Sequence, residues 1–320
     1  MSIRRVAFAV VWLALILAVG CEVARPAPTP APPSPTPMPT YTPTPIPPTS
    51  TPTPPLPTAT PTHEEFVRRT FAYDRAAPLD IEEVSVSNRD GIQVHIISYV
   101  SPKGGRVPAY LVVPPGAGPF AGMLFMHAGG ESRNEFLDEA LLLAKRGAVS
   151  LLIDGPTNRL GYNEAISSSD MYVQLVMDLQ RGVDLLTSRS DVDPKRIGYV
   201  GHSVGAVWGG VLAGVEKRIS AYVLMAGHAR ISRCARCGVA VNPLLYAIYY
   251  IGQAAPAAVF FQFAERDEYI TKEAALEYYE ACSEPKRIAW YNADHAFNEQ
   301  AQLDRVAWLS TQLSLAPAKQ

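Results

Sequence analysis

From residue 122 onwards, short apolar runs alternate with longer stretches of helical periodicity. We expect strands at 122–127, 148–154 and 196–202, separated by helices at 132–147 and 170–188. The alternation continues with strands at 221–225, 258–264 and 287–291, a helix at 271–282 and a terminal helix after His295. Parallel strands joined by crossover helices produce this pattern. The predicted fold class is therefore α/β, with a mostly parallel sheet and helices on both faces.

Two local features refine this prediction. Residues 93–100 and 107–113 are apolar or alternating runs separated by the turn-rich residues 101–105, which predicts an antiparallel hairpin at the N-terminal side of the sheet. Ser132 and Glu135 have the spacing of a capping box, so we expect the helix at 132–147 to begin with that reciprocal pair of hydrogen bonds.

The first 62 residues do not have the composition of a packed domain. Residues 1–21 carry Arg4 and Arg5 before a short apolar run and resemble a bacterial lipoprotein signal peptide, with Cys21 in the lipidated position. That run is shorter than the roughly 20 residues of a membrane-spanning helix, although plain secretion and an uncleaved anchor remain alternatives. Residues 22–62 are rich in Pro and Thr and are predicted to be a disordered linker, either an extended spacer or a simple tail. Residues 63–320 are long enough for one α/β domain.

Charge and cysteine content limit the possible partners. Lys and Arg total 28 against 30 Asp and Glu, with no basic run, so a nucleic-acid partner is not expected. Three cysteines lie in the domain, at Cys234, Cys237 and Cys282, and an odd number leaves one thiol unpaired. Cys234 and Cys237 lack the two further ligands of a zinc site, so we expect no metal. A disulfide in this region, including one to Cys282, is the preferred interpretation.

The strand at 196–202 leads into Gly201-His202-Ser203-Val204-Gly205 and then into a small-residue stretch. A serine between a strand and a helix, with glycines two positions away on each side, is typical of a nucleophile elbow. In that turn the serine backbone is strained and the neighbouring chain segments approach closely. Ser203 is therefore the predicted nucleophile, and a glycine-rich turn without function is the alternative.

A serine nucleophile requires a base, a carboxylate that orients the base, and donors for the oxyanion. We predict His295 as the base because it follows the last strand, with His228 as its competitor. Asp267 follows the strand at 258–264 and is the predicted carboxylate. Glu265, Glu268 and Asp294 are nearby carboxylates that we interpret as solvated charges.

The predicted oxyanion donors are the backbone N–H groups of Val204 and Gly129, with Ala128 as the second choice for the latter. All these residues lie at or after the carboxyl ends of predicted strands, where open α/β sheets bind their ligands. Tyr246, Tyr249, Tyr250 and Ile251 either line an acyl pocket or pack into the core, and core packing is preferred.

Residues from about 90 to 315 resemble the α/β-hydrolase superfamily, and in particular its dienelactone-hydrolase-like and acetyl-xylan-esterase-like branch. The resemblance rests on residues 127–130, Ile153-Asp154-Gly155-Pro156, Asp193-Pro194-Lys195-Arg196-Ile197, residues 201–205, Asp267 and His295. It implies a serine-type hydrolase that cleaves carboxylic esters through an acyl-enzyme intermediate without metal or organic cofactor. The implied substrate is a small-molecule or carbohydrate ester.

Two departures from the family pattern are visible. Ser203 stands where dienelactone hydrolases proper have cysteine, and Ala128 stands where glycine usually follows the histidine. Two other functions remain alternatives: a serine peptidase of the prolyl-oligopeptidase type, and a noncatalytic surface binding module with the same fold. The N-terminal segment predicts a location outside the cytoplasm, either anchored to the membrane through Cys21 or secreted.

Overall fold

A nine-stranded sheet forms the centre of the domain in a computed structural model that describes residues 62–160, 168–233 and 238–317. Its strands are β1 (Glu82–Arg89), β2 (Ile92–Val100), β3 (Arg106–Val113), β4 (Phe120–Met126), β5 (Ala148–Ile153), β6 (Val192–His202), β7 (Ile219–Met225), β8 (Ala258–Ala264) and β9 (Lys286–Tyr291). The helices are α1 (His63–Thr70), α2 (Leu137–Ala144), α3 (Pro156–Leu160), α4 (Ser168–Ser188), α5 (Val204–Val215), α6 (Lys272–Ala281) and α7 (Glu299–Gln312).

The strand order is β1-β2-β3-β5-β4-β6-β7-β8-β9. Neighbouring strands from β1 through β2 and β3 to β5 pair antiparallel. Neighbouring strands from β5 through β4, β6, β7 and β8 to β9 pair parallel. The predicted α/β fold with a mostly parallel sheet is confirmed, and the N-terminal hairpin is present as β2 and β3.

Alternate residues of the central strands face two separate apolar cores. Leu124 and Met126 of β4 belong to the core beneath α4, α5 and α6, whereas Met123 and Phe125 belong to the core beneath α2 and α7. A strand covered on both faces is apolar at nearly every position, which explains the continuous apolar runs in the sequence. Tyr250 and Ile251 are buried in the first core and Tyr246 packs against it, which confirms core packing for these three residues. For Tyr249 the core-packing prediction is wrong, because that residue is 47% exposed.

Strand β1 was not predicted from the sequence. All eight of its residues are exposed, and its Val84 is 75% exposed, because this edge strand has neither face covered by a helix. Its only apolar residues are Val84 and Val86, and this alternation is too short to identify a strand. Helices α1 and α3, which are eight and five residues long, were also not predicted.

The predicted capping box at Ser132 and Glu135 is wrong. Helix α2 begins only at Leu137, its N-cap is Phe136, and no side chain caps it. The preceding loop turns towards the neighbouring strand end, where Arg133 N donates to Asp154 Oδ1 at 2.8 Å.

Cys282 is a free, buried thiol in the structure, so the disulfide considered for it is not formed. Cys234 and Cys237 lie outside the described residues, as do Cys21, the predicted signal peptide at 1–21 and the linker up to residue 61. Within the described ranges, no helix combines the length and the apolar character needed to cross a bilayer.

Candidate active site

The chain reverses sharply at Ser203, between β6 and α5. Ser203 has φ 52° and ψ −108°, a conformation that is strained for a residue with a side chain. A Cβ on Gly201 would lie 2.4 Å from Gly205 O, and a Cβ on Gly205 would lie 2.3 Å from Met126 O. Both positions therefore require glycine, and the predicted elbow geometry is present.

His295 and Asp267 lie on neighbouring loops after β9 and β8. His295 Nδ1 is 2.9 Å from each carboxylate oxygen of Asp267. The His295 side chain is 16% exposed and that of Asp267 only 2%, so this pair is largely shielded from water. A carboxylate only accepts hydrogen bonds, so Nδ1 carries the proton and Nε2 is left as the basic nitrogen.

Backbone groups fix both members of this pair. Tyr269 N and Ile270 N donate to Asp267 Oδ1 at 2.9 and 3.0 Å, which orients the carboxylate. His295 lies in a tight turn closed by Phe297 N, which donates to Asp294 O at 2.9 Å while Phe297 adopts φ 66°. The imidazole is also flanked by the ring of Tyr269, with centroids 4.8 Å apart.

Ser203 and His295 line the same open cleft, of about 690 Å³. The other described residues lining it are Ala128, Gly129, Glu131, Glu135, Tyr172, His202, Val204, Glu268, Tyr269, Asp294 and Ala296. Ser203 Oγ and His295 form no hydrogen bond among the described contacts, an arrangement often seen in active sites without bound substrate. His228, the competing base, does not line this cleft, and burial lowers its pKa.

The loop after β4 presents a candidate oxyanion donor. His127 Nδ1 lies 2.7 Å from Ala128 O, and its Nε2 accepts from Gly155 N at 3.0 Å. The contact with His127 fixes the carbonyl of the peptide between residues 128 and 129. Because the peptide is planar and trans, its N–H, which belongs to Gly129, points away from His127. Ala128 N donates instead to Glu135 Oε2 at 2.7 Å, so Ala128 is already engaged.

Gly129 and Val204 are in close proximity, because a Cβ on Gly129 would lie 2.9 Å from Val204 Cγ2. Over the part of the chain that the structure describes, neither Gly129 N nor Val204 N donates a hydrogen bond. The two predicted oxyanion donors are thus adjacent, unpaired and at the edge of the same cleft. This geometry favours Gly129 over Ala128.

A small apolar cavity of about 30 Å³ adjoins the cleft at Gly129 and Val204. Helix α4 contributes Met171, Tyr172 and Leu175 to its wall. These three residues could not be identified from the sequence, because apolar residues on a buried helix have the same pattern whether they face a core or a cavity.

No group of three His, Cys, Asp or Glu side chains within residues 62–160, 168–233 and 238–317 is arranged to bind a metal ion. Four carboxylates line the cleft, those of Glu131, Glu135, Glu268 and Asp294, and the described lining includes no lysine or arginine. Arg266 pairs with Asp294 at 3.0 Å and offsets part of that charge.

Comparison with known proteins places these residues in a wider context. The Dienelactone hydrolase family matches residues 158–310, just under half of the chain. Polyketide transferase ATR5 of Stachybotrys chlorohalonatus is 32% identical over 147 residues, covering 45% of this chain and 44% of that protein. YtaP of Bacillus subtilis, a protein named as a hydrolase, is 27% identical over 46% of this chain and 56% of its own length. The chain therefore matches about half the length of these two curated relatives.

Solved structures extend the likeness to most of the domain. The acetyl xylan esterase from Paenibacillus sp. R4 superposes with a TM-score of 0.66 at 17% identity, covering 78% of this chain and 93% of that one. Acetyl xylan esterase 1 from Thermoanaerobacterium sp. JW/SL YS485 gives 0.59 at 13% identity, covering 77% and 93%. These likenesses show that the chain has the α/β-hydrolase fold, and the family match supports a hydrolase.

Proposed function

We propose that this protein hydrolyses carboxylic esters through an acyl-enzyme intermediate on Ser203. The observation that carries the proposal is the shielded Asp267–His295 pair, in which His295 Nδ1 lies 2.9 Å from both carboxylate oxygens and the imidazole lines the same cleft as Ser203. The N–H groups of Gly129 and Val204, which donate no hydrogen bond within the described residues, support it further.

In the proposed reaction, Ser203 Oγ bonds to the ester carbonyl carbon while its proton passes to His295 Nε2. The carbonyl oxygen becomes negatively charged and accepts hydrogen bonds from Gly129 N and Val204 N. His295 then gives the proton to the leaving alkoxide, and the alcohol departs. Water repeats the sequence on the acyl-serine ester, releasing the carboxylic acid and restoring Ser203.

The small cavity beside Gly129 and Val204 supports a short acyl group. Its volume of about 30 Å³ exceeds the roughly 10–15 Å³ that one water molecule needs, so it is suited to a group of about the size of a methyl. The names of the two acetyl xylan esterases are consistent with such a substrate. We therefore propose small-molecule or carbohydrate esters of short acids as the substrate class.

Activity of the Ser203→Ala variant on p-nitrophenyl acetate tests the proposal. We expect turnover to fall to the background rate while the thermal unfolding midpoint changes little, because the hydroxyl makes no hydrogen bond within the described residues. Unchanged turnover would overturn the assignment of Ser203. Faster release of p-nitroaniline from a matched peptide amide than of p-nitrophenol from the ester would favour a peptidase instead.

The N-terminal segment leads to a separate proposal about location. We propose that residues 1–21 direct export and that Cys21 is lipidated, so that the Pro- and Thr-rich residues 22–62 link the catalytic domain to the outer side of a membrane. Metabolic labelling with radioactive palmitate should mark the full chain and not its Cys21→Ser variant. Equal labelling of both would refute lipidation at this residue.

A further inference from the structure

The Glu135 side chain contacts two different parts of the candidate active site. Its Oε2 accepts from Ala128 N at 2.7 Å, and its Oε1 lies 2.5 Å from His202 Nδ1. The Glu135 and His202 side chains are 18% and 6% exposed, so water competes weakly for these contacts. The Glu135 carboxylate thus joins the loop after β4, which carries the Gly129 donor, to the elbow that carries Ser203.

His202 extends this connection to the loop of the base. Its Nε2 lies 2.9 Å from the backbone oxygen of His295, and the two imidazole rings have centroids 4.9 Å apart. A carbonyl oxygen can only accept, so Nε2 must carry a proton. One further proton lies between His202 Nδ1 and Glu135 Oε1, because a carboxylate and an unprotonated nitrogen would repel each other at 2.5 Å.

The carboxylate of Glu135 is suited to this position. Burial opposes its ionisation, but the hydrogen bond and positive charge of His202, together with the N–H of Ala128, hold its pKa below the usual range. Hydrogen bonds to an ionised acceptor are about twice as strong as those between neutral groups.

We propose that Glu135 and His202 form a positioning link between three segments: the loop after β4 that carries the Gly129 donor, the Ser203 elbow and the His295 loop. The link holds the oxyanion donor, the nucleophile and the base at the distances that the reaction needs. This inference rests on the proposed esterase function, since it assigns the alignment of that same reaction to two residues that do not take part in bond making. Ala128 N, held by Glu135, precedes the peptide whose N–H is the Gly129 donor. His202 is joined through the backbone of His295 to the residue that receives the proton.

The alignment must be accurate to a fraction of an ångström. An oxyanion donor is effective when it lies about 2.7–3.1 Å from the developing negative oxygen. A displacement of about 1 Å can cost on the order of 100-fold in rate. Loss of the link should consequently lower kcat rather than weaken the binding of a small neutral ester.

The link can be tested by separating hydrogen bonding from charge at position 135. In Glu135→Gln the amide oxygen can accept from Ala128 N, while the amide nitrogen donates to His202 Nδ1 and leaves His202 Nε2 to donate to His295 O. We expect kcat on p-nitrophenyl acetate to stay within about threefold of the unmodified enzyme for Glu135→Gln and to fall about 100-fold for Glu135→Ala, with KM changed less than threefold in both. Asp138→Ala, which removes an exposed carboxylate from nearby helix α2, is the matched control and should leave both constants unchanged.

His202→Asn provides a second measurement, because its shorter side chain cannot reach Glu135 and His295 O together. It should also lower kcat without a matching rise in KM, and it decides the question if Glu135→Ala does not fold. Three results would overturn the link: an equal loss in Glu135→Gln and Glu135→Ala, an effect confined to KM, or full activity in folded Glu135→Ala. Ser203→Ala, assayed in parallel, distinguishes failure of the link from failure of the proposed function. If the proposed function is wrong, the unmodified protein will show no activity that Ser203→Ala removes. If only the link is wrong, that activity will be present.

Discussion

Replacing Asp267 by asparagine changes the proton arrangement of His295 without removing a side chain. Tyr269 N and Ile270 N both donate to Oδ1 of Asp267, so the oxygen of the new amide will occupy that position. Its NH₂ group is then left at the position of Oδ2, 2.9 Å from His295 Nδ1. Two donors repel each other at that distance, so the tautomer of His295 that carries its proton on Nε2 is favoured, although Nδ1 also lies 2.9 Å from the Oδ1 position.

In that tautomer Nε2 cannot accept the proton of Ser203 Oγ. The corresponding substitution in a serine protease triad lowers kcat by about 10⁴-fold, and we expect a loss of about 10³–10⁴-fold here. This corresponds to about 4–5.5 kcal/mol in activation free energy. The free energy of unfolding should change by no more than about 1 kcal/mol, because both backbone hydrogen bonds to position 267 are kept.

The assay is hydrolysis of p-nitrophenyl acetate at neutral pH, with Asp294→Asn as the matched control. Asp294 precedes the base in sequence, but its carboxylate is exposed and pairs with Arg266, so its loss should change kcat by less than about twofold. Retention of more than a tenth of the activity in Asp267→Asn would refute this reasoning. A large loss confined to Asp294→Asn would reverse the assignment of the carboxylate.

Three further predictions follow from other parts of the structure. Gly205→Ala should lower kcat at least tenfold, because the new Cβ would lie 2.3 Å from Met126 O and must displace the start of α5 from the end of β4. Steady-state kinetics measure this loss, and a thermal melt checks that the variant is folded. Normal kinetics would contradict the close packing. Glu139→Gln should lower the free energy of unfolding, measured in urea titrations, by about 3 kcal/mol. In the unmodified protein Nε of the buried Arg305 lies 2.9 Å from both Glu139 carboxylate oxygens, and the substitution leaves this guanidinium without a counter-charge. An effect below about 1 kcal/mol would refute this. Burial raises the pKa of the Cys282 thiol to about 12, so at pH 8 only about one thiol in 10⁴ is ionised. Because the thiolate is the reactive form, iodoacetamide should modify Cys282 only after unfolding. Rapid modification of the native protein would contradict its burial.

Much of the fold could be predicted because the buried strands have a strong sequence signature. Strands β4 to β9 are covered on both faces or follow regular alternation, and the order Ser203, Asp267, His295 places each residue after one of them. Carboxyl ends of parallel strands meet at one edge of a sheet, so proximity of the three followed from topology alone. The structure brings Asp267 and His295 into hydrogen-bond contact and places Ser203 and His295 in one cleft.

What could not be predicted depends on where side chains point. Glu135 has the spacing of a helix cap, yet its carboxylate accepts from Ala128 N and contacts His202, and local spacing gives no information about a partner as distant in sequence as His202. Tyr172 and Tyr269, which line the cleft from α4 and from the loop after β8, gave no local signal either. Strand β1 was missed because an edge strand exposed on both faces needs no apolar pattern.

The most direct test of the central claim is reaction of the native, linker-containing protein with a fluorophosphonate, followed by mass spectrometry of its peptides. A serine hydroxyl activated by a base displaces fluoride from phosphorus, passing its proton to the base and forming a stable phosphonyl ester with loss of one fluoride. We predict one phosphonyl group per chain, located on Ser203, and no labelling of Asp267→Asn on the same time scale. Labelling at another residue, or none in folded protein, would contradict the proposal that Ser203 is the nucleophile.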